Sequence, residues 1–187
     1  MDELGRQFLH MIFGAILLLY AVFAGREQTI LLLWFVLFAG LMLVQIKLYK
    51  FRVPFVDFLL EKFGRSKEKI PARGTLAYAA GCLFVLSAIE FNFALGVIAI
   101  LAFGDGLATL VGLSGKNKLP YPFDQKKTFE GFFAFLIAGT AASMFFFGLQ
   151  NAIVYSLVFA IVEAIDFNID DNLLIPFFGV LLKTLLK

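Results

Sequence analysis

Cysteine is almost missing from this chain. Cys82 stands alone, which excludes an intrachain disulfide, and its apolar neighbours suit an inert core thiol. Charge is scarce as well: charged residues make up 16% of the sequence. The formal net charge of +2 is too small to argue for a nucleic-acid partner, and the cations cluster in loops. The motifs of soluble phosphotransferases and hydrolases are absent: there is no G-x-x-x-x-G-K-S/T loop, no H-R-D or D-F-G, no H-E-x-x-H and no G-x-S-x-G. No internal repeat and no low-complexity tract is present.

What the chain has in quantity is apolar sequence. It is 61% hydrophobic, with a mean hydropathy of +0.90, the composition of a membrane protein. Its 187 residues allow about seven spans of roughly 20 residues and no separate soluble domain. The expected fold is therefore all-α, a polytopic membrane helix bundle forming one domain over 1–187. The first apolar run is Phe8 to Ala24. Val22-Phe23-Ala24 resembles a signal-peptidase site, but Asp2 and Glu3 precede the run in place of a basic segment, so it reads as a retained span. The second is Thr29 to Ile46. Gly74 to Ile89 and Phe93 to Leu113 make the third and fourth, and the fifth begins at Thr128 with Gly131, Ala134, Ala138 and Ala141 as a small-residue stripe for helix contact. Gly148 to Asn151 turns into the sixth.

Between the second and third spans, Phe55, Phe58, Leu59 and Phe63 recur at helical spacing, as in an amphipathic helix lying in the interface. If the spans alternate, one side collects Arg6, the cluster Lys47, Lys50, Arg52, Lys62, Arg65, Lys67, Lys69 and Arg73, and the loop lysines Lys116, Lys118, Lys126 and Lys127. The other side has Arg26, Lys183 and Lys187. The positive-inside rule then makes the amino terminus and both basic loops cytoplasmic.

The stretch from Phe103 to Gly131 concentrates the chemistry. Asp105 lies inside a hydrophobic run, where a carboxylate is expensive and by default functional. On a helix, Asp105, Ala108, Thr109 and Gly112 share one face, small enough for a ligand or a metal to approach the carboxylate. Lys116, Lys118, Lys126 and Lys127 supply ammonium groups, the helix start at Thr128 offers backbone amides, and Glu130 offers a ligand for hydrated magnesium. The bland alternative is an Asp105–lysine pair that only holds helices together.

A second acidic cluster closes the sixth span. Glu163, Asp166 and Asp170 follow i, i+3, i+7 spacing, so a continuing helix would align them, with Asp171 and Asn172 adjacent. Such acids repel unless a metal or lysine compensates, and magnesium with substrate phosphates suits them. A solvated acidic loop is the simpler reading. Near the amino terminus, Arg6 and His10 lie one helical turn apart, placed either to anchor the helix at the interface or to bind an anionic group.

Taken together, Gly104-Asp105-x-x-Ala108, then Gly112, Gly115, Pro120 and Lys126-Lys127-Thr128-Phe129-Glu130-Gly131 resemble the nucleotide-binding region of the polyprenol kinase family. That family includes dolichol kinase, phytol kinase and the CTP-dependent diacylglycerol kinases. The similarity spans most of the chain and is strongest from Gly74 to Pro176. Glu163 followed by Asp170-Asp171-Asn172 matches a further family pattern, and the Arg6/His10 start is similar to that of many relatives. The resemblance implies a multi-pass enzyme that phosphorylates a lipid alcohol with CTP; the acidic residues add Mg2+, and the loop cations put the reaction at the cytoplasmic face of the cell membrane.

In that scheme Asp105, Glu163 and Asp170 are catalytic. Gly104, Thr109, Gly112, Lys116, Lys118, Lys126, Lys127, Thr128, Glu130 and Gly131 bind nucleotide. Asp105, Glu130, Asp166, Asp170 and Asp171 hold metal, and Arg6, His10 and Asn172 meet the substrate. With no soluble-kinase motif present, the nucleotide has to be held by helix ends and loops. Two other readings are a cytidylyltransferase that makes a CDP-lipid from CTP and a lipid phosphate, and a transporter or scaffold. The chain lacks the C-terminal Lys-Asp and His-Gly-Gly pattern usual in the former and the internal symmetry expected of the latter.

Overall fold

A computed structural model describes residues 3–54, 56–58 and 71–186. Its helices are α1 (Glu3–Ala24), α2 (Arg26–Leu48), α3 (Arg73–Ala88), α4 (Phe91–Gly112), α5 (Phe129–Phe147), α6 (Leu149–Ala164) and α7 (Asp171–Leu185). No strand forms among the described residues; an isolated antiparallel bridge joins Lys118 and Thr128. Of the expected interfacial helix, Phe55, Leu59 and Phe63 lie outside the described residues, as do Lys62, Arg65, Lys67, Lys69 and Lys187.

Four helices among the described residues, α1, α2, α4 and α5, are long and apolar enough to cross a membrane, where the sequence reading expects about seven spans. Helices α3 and α6 are apolar but only 16 residues each, and α7 has 15. Large apolar side chains cover the outside. Phe23, Trp34, Phe35, Phe38 and Phe145 are all exposed, as on a bundle whose surroundings are themselves apolar.

The chain reverses twice in a single residue. Gly25 at φ 84° joins α1 to α2, and Gly148 at φ 72° joins α5 to α6. Only glycine adopts that backbone region without a Cβ clash. The contacts at the two ends show that successive helices run in alternating directions. At one end Arg26 donates to the Ser87 carbonyl at 3.1 Å, Lys183 pairs with Glu90 at 3.1 Å, and Phe147 packs on Phe93. The amino terminus of α1, the carboxyl end of α4, the start of α5, the end of α6 and the start of α7 meet at the other end.

Helix α4 is the axis. It touches α1, α3, α5, α6 and α7, and Ile98, Ile100, Leu101 and Ala102 along it are completely buried. Between lipid-facing helices the driving force is close packing rather than expulsion of water, so small residues at crossings matter. Gly14 of α1 is one such site: a Cβ there would sit 2.3 Å from the Cβ of Ala102. On α5 the buried face is Gly131, Phe135, Ala138, Gly139 and Ser143. The expected stripe of Gly131, Ala134, Ala138 and Ala141 is thus partly displaced, because Phe135 turns inward against Gly104 and Ala141 faces out.

Two local departures from regular helix shape the polar end. Ile100–Asp105 is wound as a π-helix inside α4, a distortion that recurs at functional sites. Helix α6 stops at Ala164 with Ile165 extended. Glu163, Asp166 and Asp170 therefore do not share one continuing helix face. Asp166 instead accepts from the Asn168 amide at 3.0 Å in the turn, and Asp170 caps α7 by accepting from the Asn172 amide at 3.1 Å.

A candidate phosphate and metal site at one end of the bundle

A cavity of about 750 Å³ opens among these converging helix ends. Its floor is acidic. Asp105 from α4, Glu163 from α6 and Asp171 from α7 each offer a carboxylate oxygen, and the three oxygens lie within 4.8 Å of one another. Asp105 and Glu163 are buried. Among the described residues no hydrogen bond reaches the Asp105 carboxylate; His10 Nε2 stands 3.8 Å from its Oδ2. The same imidazole nitrogen lies 3.3 Å from the Leu101 carbonyl, within the π segment.

A lysine from the central loop enters this acidic group. Lys127 Nζ donates to Glu163 Oε1 at 2.5 Å and to Asp171 Oδ2 at 3.2 Å. Burial opposes its charge, but the carboxylates of Glu163 and Asp171 outweigh that and raise its pKa above the ordinary lysine value. At neutral pH it is an ammonium. The position is set by the backbone: the Asp124 amide donates to the Ala164 carbonyl at 2.9 Å, tying the loop to the end of α6, and the Lys127 carbonyl accepts from the Leu119 amide at 3.0 Å. Lys118 donates to the Lys126 carbonyl at 3.2 Å, and both of these lysines border the cavity.

Thr128 caps α5, its hydroxyl accepting from the Gly131 amide at 3.1 Å, and the Phe129 amide donates to Asn117. Two of the amides at this helix start are thus already used. Thr109, Gly112, Thr128 and Gly131 line the wall where α4 and α5 cross. On the opposite wall, α1 presents Arg6 and His10, with Arg6 paired to Glu3. Asp166, Asp170 and Asn172 complete the rim.

Three of the residues singled out from the sequence stand apart from the cavity. Gly104 packs under Phe135. Lys116 contributes its backbone amide, which donates to Glu130 Oε1 at 3.1 Å. Glu130 spends its carboxylate on the loop, accepting also from the Asn117 side chain at 2.9 Å. The carboxylates that converge are those of Asp105, Glu163 and Asp171. Sequence reasoning passed over Gln7 and Asp124, which also line the cavity. Glu3, Gln7 and His10 follow i, i+4, i+7 spacing on α1, a signal that points to Gln7.

Fold and cavity together define an all-helical, membrane-type bundle carrying a charged chamber at one end. Over 180 residues the chain is 34% identical to the uncharacterized protein MJ1137 of Methanocaldococcus jannaschii, a match that covers 95% of this chain and 90% of that protein. The chain belongs to the family of that protein. No family model matches it, and no solved structure does either.

Proposed function

We propose that the chain is a membrane-embedded phosphotransferase that moves the terminal phosphoryl group of CTP to the hydroxyl of a lipid alcohol, isoprenoid or diacylglycerol-like. The observation that carries this reading is the meeting of Asp105, Glu163 and Asp171 with Lys118, Lys126, Lys127 and Arg6 around one cavity at the end of an apolar bundle. Phosphoryl transfer asks a protein mainly for positioning and for neutralisation of charge. The three carboxylates fit magnesium because hard oxygen donors converge there. When bound, magnesium supplies neutralisation of the triphosphate.

In the reaction the lipid hydroxyl oxygen bonds to the terminal phosphorus, the bond to the bridging oxygen breaks, and CDP leaves. The hydroxyl proton passes to a cavity carboxylate or to water. Arg6, Lys118 and Lys126 bind phosphate oxygens, and Lys127 bridges from the acidic floor toward them. The choice of CTP rests on the resemblance to polyprenol kinases. The topology inferred with this reading has seven crossings, a cytoplasmic amino terminus and the cavity facing the cytoplasm. Helices α3, α6 and α7, roughly 22–24 Å long at 1.5 Å per residue, would cross a locally thinned bilayer.

Purified protein incubated with magnesium, a panel of lipid alcohols and, separately, their phosphates, and CTP labelled at either the terminal or the first phosphate tests this. Terminal label in a lipid phosphate, with CDP released, is the expected product. First-phosphate label in the lipid, with pyrophosphate released, would establish the cytidylyltransferase instead, and no transfer of either label would contradict both.

A further inference from the structure

Beside the polar cavity lies an apolar groove of about 350 Å³ between α3 and α7, lined by Gly81, Phe84, Ile169, Leu173, Leu174 and Phe177. Ile169 lines both spaces, so the groove adjoins the cavity at that side chain. Beyond Ile169, Leu173 and Phe177 stand one turn of α7 apart, about 6 Å at 1.5 Å per residue. The groove begins beside Asp170 and Asp171 and leads away from them. Gly81 closes its floor: α3 and α7 touch there so closely that a Cβ would fall 2.0 Å from the Asn172 carbonyl oxygen. The groove side of Phe84, Ile169, Leu173 and Phe177 is left open to the surroundings of the bundle, each being at least 40% exposed.

We infer that this groove binds the hydrocarbon tail of the acceptor lipid, which lies along the outer seam of α3 and α7 with its hydroxyl passing Ile169 to reach Asp105. The inference rests on the lipid-alcohol reading of the polar cavity and adds where the tail lies and which side chains measure it. A polar head and an apolar tail match a charged chamber that adjoins an apolar groove. A second protein copy seated on the groove would leave the adjoining charged cavity without a partner, whereas a lipid alcohol fills both.

The test places the photoreactive residue p-benzoylphenylalanine at Phe177, and separately at Phe84, in the full-length protein in phosphatidylcholine nanodiscs. The same residue at Phe23, exposed on α1 away from the groove, is the control. A tritiated twenty-carbon isoprenoid alcohol is the probe. Irradiation should label the two groove positions several-fold more than Phe23, and unlabelled alcohol should suppress that labelling while added phosphatidylcholine should not.

Equal labelling at Phe23, suppression by phosphatidylcholine, or a covalent dimer of the chain would overturn the inference. Because the readout is binding, it is independent of turnover: saturable groove labelling without phosphate transfer keeps the groove and removes the kinase reading, and transfer with unsaturable labelling does the reverse. In an active preparation Leu173→Trp should raise the KM for the lipid at least tenfold and leave that for CTP unchanged; an unchanged lipid KM would count against the groove.

Discussion

Lys127 is where the two charged regions of the sequence meet, its ammonium standing between Glu163 and Asp171. Breaking a buried pair by removing one partner leaves the other charge uncompensated, at a cost of about 3–5 kcal/mol when burial is complete. Lys127 is a quarter exposed, so a smaller loss is expected. If Lys127 and Asp171 serve one ligand, Lys127→Ala and Asp171→Ala should each weaken binding of CTP with magnesium. The double variant should lose less than the sum, with a coupling of about 0.5–3 kcal/mol. Titration calorimetry that returned strict additivity would mean the lysine and the acid act separately. Glu130 gives a contrasting prediction. Its carboxylate holds the Lys116–Asn117 turn, so Glu130→Gln should change metal affinity far less than Asp105→Asn when Mn2+ binding is followed by electron paramagnetic resonance.

Among the elements, the π segment of α4 and the start of α5 do most to build the cavity. Gly14 lets α1 lie on Ala102 within that segment, which carries His10 to Asp105. Gly14→Val should push α1 outward, lower the unfolding midpoint in detergent and weaken CTP binding together; a variant of unchanged stability and affinity would show that α1 does not set the site. Thr128→Ala removes the α5 cap and should cost about 1 kcal/mol, read as a lowered midpoint.

These elements also mark what could be read from the chain. Helix positions, breaks and the Thr128 cap follow from apolar periodicity and local side-chain chemistry, which are short-range. The π winding and the end of α6 at Ala164 are set by packing against neighbours, so a reading of spacing placed Glu163, Asp166 and Asp170 on one helix. The partnership of Asp105 with Glu163 and Asp171 links three helices, and no single-helix period encodes it. Glu130 misleads for the same reason, since its partners lie 13 and 14 residues away in the loop.

For the whole molecule, the alternating helices put the cavity at one end and Arg26, Ser87, Glu90 and Lys183 at the other. Cys82 is buried, so introduced cysteines report cleanly. With the cavity cytoplasmic, Ser87→Cys should react with a membrane-impermeant maleimide applied to intact cells, and Ser114→Cys only after permeabilisation; the reverse pattern would invert the topology. The central claim is that the Asp105 cavity transfers phosphate to lipid. The most direct measurement is magnesium-dependent passage of the terminal phosphate of CTP into the organic phase by the wild-type protein and by folded Asp105→Asn. Transfer by the wild type is expected, with a loss of about 100- to 1000-fold in the variant, the usual cost of removing a key electrostatic group. Equal transfer by the two proteins, or none by the wild type, would contradict it.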